Sequence, residues 1–201
     1  MKKVNPYLFL TILAFSAFFV VSGLNLIKSY STADCILLFI VFLISFGYVG
    51  ETMSVSKSIV LKRIAKAYYL FMIGGSTYLF MEVTFRGYSY ISMFVVGGLC
   101  FILIGVINEL TTLSITTQML LSAGIVTMLE YTSGCILNLG LGLNVWDYSN
   151  IPYNLNGQIC LLFSILWIFV SLFAIVVDDL IRHIVFGETF PKYYLWEKKK
   201  M

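Results

Sequence analysis

Charge is scarce in this chain: only 11% of its 201 residues are Asp, Glu, Lys or Arg, against about 25% in ordinary soluble domains. A water-soluble core of this size does not need that bias. The chain has one histidine, so it offers no His cluster and no metal set, and it shows no recognisable nucleophile–base pair. It contains no G-x-x-x-x-G-K-[ST] loop, so any ATP-driven role needs a separate ATPase subunit. The four cysteines, Cys35, Cys100, Cys135 and Cys160, lack C-x-x-C spacing and read as small apolar packing residues. Cys35, Cys135 and Cys160 fall toward the same ends of their segments, which permits one disulfide without requiring it. Alternating ten-residue strands of a membrane barrel are also missing, which leaves helices as the spanning structure. No cofactor, metal or nucleic-acid partner is expected.

What the chain does have is apolar length. Residues are 60% hydrophobic, and six runs, 7–27, 35–52, 67–85, 89–107, 113–137 and 159–177, approach or exceed the roughly 20 residues a helix needs to cross a bilayer. The expected fold is all-α: a polytopic integral membrane protein with six transmembrane helices over residues 1–182 and a cytoplasmic interfacial tail over 183–201. Basic residues set the orientation. Lys2 and Lys3 precede the first run, Lys57, Lys62, Arg63 and Lys66 lie between the second and third, and Arg182, Lys192, Lys198, Lys199 and Lys200 follow the sixth, leaving only Lys28 and Arg86 for the other side. This alternation puts both termini in the cytoplasm. The first run is longer than the 7–15 residues of a signal-peptide core and lacks a following A-x-A site, so it reads as an uncleaved helix.

The connection at 57–66 interleaves its four basic residues with Ile59, Val60, Leu61 and Ile64 and reads as a short interfacial helix that attracts anionic lipid, by about 1 kcal/mol per basic residue. A docking surface for a cytoplasmic subunit is the other reading. The tail mixes Phe186, Phe190, Tyr193, Tyr194 and Trp196 with lysines, as suits a head-group boundary. The loop at 139–158 is different in kind, because Gly, Asn and Pro turn formers surround Trp146-Asp147-Tyr148-Ser149. An ordered segment is expected, either an aromatic-belt turn capped by Asp147 or Ser149, or a lid over a polar site.

Polar residues inside the runs locate that site. Counted from Ala67, Glu82 lies roughly 22 Å and Arg86 roughly 28 Å along the third run, and Glu130 lies roughly 25 Å along the fifth from Leu113. Glu82 and Arg86 are i,i+4 neighbours in the favoured order. Glu130 has no local basic partner, so it must face the bundle interior, find Arg86 or another donor, or be protonated. Ala123, Thr127, Glu130, Gly134 and Asn138 recur at helical spacing and mark the inward face, and Gly74, Gly75, Gly98, Gly105 and Asn108 offer similar close-packing seams. Two readings stand: a structural ion network within packing seams, or a substrate or ion site made by Glu82, Arg86, Glu130 and Asp147. At the opposite ends, Asp178 and Asp179 each have a basic residue four positions on, Arg182 and His183, which suffices for local pairing.

Several strings carry a family resemblance. Phe85-Arg86-Gly87, Gly97-Gly98 with Asn108-Glu109, Glu130-Tyr131-x-x-Gly134, Trp146-Asp147-Tyr148-Ser149, and Asn156-Gly157-Gln158-Ile159-Cys160 followed by Trp167 resemble the bacterial family labelled "putative ABC-transporter type IV" permeases. The W-D-Y-S step followed by a short spacer and G-[QR]-I-C is the most specific part. The resemblance implies that Arg86, Glu130, Trp146, Asp147, Tyr148, Asn156 and Gln158 match the family's motif positions, and it implies a bacterial cytoplasmic membrane. The chain departs from the pattern after Arg86-Gly87, where many members carry Gly-Pro…Pro-x-Tyr-Gly and this sequence continues Tyr88-Ser-Tyr-Ile-Ser-Met. It resembles a divergent branch.

Two functions follow as expectations. One is a permease-like transport component that meets a separate ATPase subunit through 57–66 and binds substrate near Glu82, Arg86, Glu130 and Asp147, alone or as a homo-oligomer. The other is a membrane-embedded enzyme or accessory factor acting on lipid or envelope precursors, with Glu130 or Asp147 as acid or base and Arg86 holding a head group.

Overall fold

The computed structural model describes residues 57–196, with Ile40 and Gly50 before them. The expected helices at 7–27 and 35–52, the question of a cleaved leader, Cys35 and the last five residues lie outside the described residues.

Four α-helices carry most of the described chain: α1 (Ile59–Arg86), α2 (Ile91–Leu110), α3 (Ile115–Gly134) and α4 (Leu161–Phe186). A π-helical turn, Cys135–Gly140, continues α3, and a two-stranded hairpin, β1 (Asn154–Leu155) and β2 (Ile159–Cys160), precedes α4. Length and apolarity mark Ile91–Leu110, Ile115–Gly140 and Leu161–Phe186 as three candidate membrane spans among the described residues. On α4 the outward residues Leu162, Phe169, Phe173 and Ile184 are 63–70% exposed, an arrangement that is costly in water and natural against lipid chains.

The basic segment and the third apolar run form one helix. Ser58 caps α1 by accepting from the Leu61 amide at 3.3 Å, and no glycine or proline interrupts the chain before Gly74. A separate interfacial helix over 57–66 is therefore replaced by the first turns of a 28-residue element, about 42 Å long. Glycine ends it: Gly87 takes the left-handed conformation at φ 78° and its N–H reaches the Val83 carbonyl. Tyr68, Tyr69, Ser76, Thr77, Tyr78 and Glu82 dilute its apolarity, and α1 is not among the three spans that length and apolarity alone mark.

The chain divides into two compact units, Met1–Leu99 and Cys100–Met201. In the first, a Cβ on Gly75 would come 2.5 Å from the Phe94 carbonyl, and one on Gly98 2.6 Å from the Phe71 ring. These small residues let α1 and the start of α2 touch backbone to ring, as the sequence-level seams anticipate. Phe71 and Phe94 meet edge to face at 5.5 Å. In the second unit α3 packs along α4, and Ile104, Ile115, Val126 and Ile175 form a buried cluster flanked by Cys100, Met119, Trp167, Ala174 and Tyr193.

Candidate functional site

The sequence-level site residues fall into two sets, each assembled within its own unit. In the first unit Arg86 Nη1 donates to Glu82 Oε1 at 3.0 Å, the i,i+4 pair expected. The other Glu82 oxygen accepts from Ser89 Oγ at 2.5 Å, and Ser89 is fully buried. Arg86 also donates to the Tyr88 hydroxyl at 3.3 Å and sits 4.9 Å from the centre of that ring. The left-handed turn at Gly87 brings Tyr88 and Ser89 back onto the last turn of α1. Sequence alone does not mark Ser89 or Tyr88 as site residues, because a serine two residues beyond a helix end signals nothing until the turn is known.

In the second unit Glu130 is 5% exposed, and its carboxylate is held from two sides. Tyr148 Oη donates to Oε1 at 2.9 Å, and Trp167 Nε1 donates to Oε2 at 2.9 Å. The expected search for a donor is answered by neutral hydrogen-bonding side chains, one from the 141–153 loop and one from α4. Two such bonds offset part of the cost of burying the carboxylate. The Tyr148 ring stacks on Phe163 at 4.9 Å, which fixes the hydroxyl over the acid.

A polar knot centred on Asn138 holds the loop in place. Asn138 Nδ2 donates to the Trp146 carbonyl at 3.0 Å and to Gln158 Oε1 at 2.8 Å, while its Oδ1 accepts from the Val145 amide at 2.6 Å. Trp146 Nε1 donates to the Gln158 carbonyl at 2.9 Å. All four residues are buried, so the expectation of an ordered loop holds for a specific reason: its polar groups satisfy each other away from water. The π turn, common near functional sites, carries Asn138 inward. Gly134 makes room, since a Cβ there would lie 2.6 Å from Gln158 Oε1 and 3.0 Å from Trp146 Cζ2.

Asp147 has a different job from Glu130. It is exposed, with Oδ1 accepting from the Ser149 amide at 2.8 Å and Oδ2 from Ser149 Oγ at 2.9 Å. Those two donors hold its carboxyl below the usual carboxylate range. This is the turn-capping arrangement. Asn156 Nδ2 donates to the Tyr131 hydroxyl at 3.2 Å, and Asn156 and Gly157, both with positive φ, form the hairpin tip. Beside them opens an apolar groove of about 500 Å³ lined by Leu120, Gly124, Met128, Tyr131, Leu155 and Ile168, among others.

A third set lies at the other end of α4. Arg182 is 6% exposed and donates to Asp178 Oδ2 at 2.5 Å and to Glu109 Oε2 at 2.8 Å. Asp179 accepts from the Asn108 amide and, at 2.5 Å, from the Tyr193 hydroxyl. His183 Nδ1 instead lies 2.8 Å from the Glu188 carbonyl oxygen, so of the two local pairings expected the Arg182 one is made and Asp179 turns to the tail and α2. Burial and the Asp179 carboxylate push the Tyr193 phenol up, which keeps it a donor at neutral pH. The tail is tied further by the Ile115 amide to the Tyr194 carbonyl at 2.8 Å and Thr116 Oγ1 to the Leu195 carbonyl at 2.6 Å. Sequence spacing alone does not find Tyr193, because the contact spans the length of a folded-back segment.

No curated protein and no solved structure matches the chain. The family described as "Putative ABC-transporter type IV" matches residues 37–194, which spans the three sets above except Leu195 and covers most of the chain. The protein thus belongs to this family of ABC-transporter-type membrane proteins.

Proposed function

We propose that the chain is the permease-like membrane component of an ABC-type transport system, with six transmembrane helices, both termini in the cytoplasm and a polar site opening on the outer face. The observation that carries this reading is Glu130: a carboxylate buried in a candidate span, oriented by Tyr148 and Trp167 beneath an internally hydrogen-bonded loop. An acid placed there without function would be costly to retain in a bilayer. Trp146, Gln158 and Asn156 set the loop over it, Asp147 marks the rim, and Glu82 with Arg86 supplies a second charged set whose pairing leaves the guanidinium partly exposed.

The start of α1 supports the membrane and partner side of the reading. Ile59, Val60 and Ile64 are 59–70% exposed beside Lys62, Arg63 and Lys66, a surface that fits anionic head groups and, next to them, the acidic face of a cytoplasmic ATPase. The test is purification of the tagged full chain from its native membranes in mild detergent, with mass spectrometry of co-purifying proteins and lipids. A stoichiometric P-loop ATPase, lost on replacing Lys62, Arg63 and Lys66 with Ser, is expected. One enriched lipid or envelope precursor without an ATPase would replace this reading with that of an enzyme or accessory factor.

A further inference from the structure

The seam between α3 and α4 is polar at positions where an apolar bundle needs nothing polar. Along α3 the inward stripe runs Gln118, Ser122, Val126, Glu130; along α4 it runs Trp167, Ser171, Ile175 and then Asp178 and Asp179. Val126 and Ile175 share one buried cluster with Trp167 and Tyr193 at its edges, so both stripes face the same seam. The helices run antiparallel, pinned at one end by Trp167 on Glu130 and at the other by the Ile115 amide on the Tyr194 carbonyl and Tyr193 on Asp179. At 1.5 Å per residue, Ser171 lies about 6 Å, Ser122 about 12 Å and Gln118 about 18 Å from the Glu130 level, with Asp179 also at about 18 Å. Glu130, Ser171 and Ser122 alternate between the helices in steps of about 6 Å, and Gln118 and Asp179 share the last level.

Three of these rungs carry a buried oxygen without a partner, although Gln118 Nε2 donates to the Leu113 carbonyl at 3.0 Å. Ser122 is 0% and Ser171 1% exposed, Gln118 4%, yet Ser122 Oγ, Ser171 Oγ and Gln118 Oε1 have no hydrogen-bond partner. Buried polar atoms are almost always satisfied, by protein or by ordered water. A 6 Å step accommodates one or two water molecules at O···O distances of about 2.8 Å. Hydroxyl donors close both ends: Tyr148 on Glu130 and Tyr193 on Asp179. Among the described residues the groups that face Glu130 include Tyr148 and Trp167, and Cys100 of α2 lies near enough to feel its charge. Those around the aspartates are Arg182, Glu109, Asn108, Glu188 and Tyr193.

We propose that this seam is a water-bearing proton track joining Glu130 to Asp179. A proton taken up by the Glu130 carboxylate passes through water to the Ser171 and Ser122 hydroxyls, through a water held by Gln118 Oε1, and onto the Asp179 carboxylate, from which it leaves when the Tyr193 hydroxyl moves aside. Each hop forms one O–H bond and breaks the next, which leaves the hydrogen bonds of the hydroxyls and waters reversed; each group turns back before the next proton passes, and no co-reactant is needed. The track stands apart from the ATPase reading and shares with it only Glu130.

The test uses the purified full chain alone in vesicles enclosing a pH-sensitive dye, with a potassium diffusion potential as the driving force. Proton entry several-fold above protein-free vesicles is expected. The Ser122→Ala/Ser171→Ala pair loses at least tenfold of that flux. The Ser122→Thr/Ser171→Thr pair, which keeps both hydroxyls, and Ser164→Ala, whose hydroxyl bonds the Cys160 carbonyl at 3.0 Å, retain it. Wild-type flux no greater than in empty vesicles, or an alanine pair that conducts like wild type, overturns the proposal. Should the alanine pair not fold, the wild-type comparison with empty vesicles still decides it.

Discussion

The Tyr148 hydroxyl reaches Glu130 Oε1 at 2.9 Å across 18 residues of sequence, so the order of the 141–153 loop and the state of a buried acid are one problem. Tyr148→Phe removes a donor to a buried carboxylate while keeping the ring on Phe163. We expect a loss of about 1–3 kcal/mol, read as a fall of several degrees in the melting temperature in detergent. Glu130→Gln/Tyr148→Phe should cost less than the sum of the single changes, since both remove the same contact.

Gly134 is where α3 admits the loop. Gly134→Ala would press a methyl against Gln158 Oε1 and the Trp146 ring, with an expected cost of about 1–3 kcal/mol from overpacking. Gly124→Ala, with open space where its Cβ would go, should leave stability unchanged or slightly raised. Thermal unfolding of the two variants side by side checks the packing of the site directly.

Arg182 is the buried hub at the other end, its side chain 7% exposed between Asp178 and Glu109. Arg182→Met leaves Asp178, whose side chain is 1% exposed, without its cation and should cost about 3–5 kcal/mol. Adding Asp178→Leu should recover much of that loss, because removing both charges is milder than stranding one. Equal instability in the single and double variants would contradict the ion-pair account.

Asp147 gives a pH signature. Its folded value lies below the ordinary carboxylate value because Ser149 donates twice to the ionised form. The stabilisation of the turn is therefore fully present above about pH 3.9, the unfolded value, and is lost as pH falls through the lower folded value. The Ser149 amide resonance should titrate with a midpoint below about 3.9, and Ser149→Ala should raise that midpoint. A midpoint at or above the ordinary value would remove the capping role.

The charged and apolar pattern made α2, α3 and α4 legible, because long apolar runs and inward small residues follow directly from helical spacing. Glu82 with Arg86, and the inward direction of Glu130, were likewise readable from i,i+4 geometry and the cost of a lone carboxylate. The partners of Glu130 were not. Tyr148 and Trp167 lie 18 and 37 residues away, and only the folded loop and the α3–α4 packing bring them together. Asp147 shows the opposite difficulty: its motif looks chemical, while its oxygens are taken by the residue two positions on. The merging of 57–66 into α1 turned on a serine cap, a local signal easily outweighed by the change from basic to apolar composition.

The most direct test of the account is ATP hydrolysis by the complex purified on the tagged full chain and reconstituted in vesicles, wild type against Glu130→Gln. The account predicts an ATPase subunit present in equal amount in both and hydrolysis at least tenfold lower in the variant. Equal hydrolysis in the two, or no ATPase bound to the wild-type chain, would contradict it.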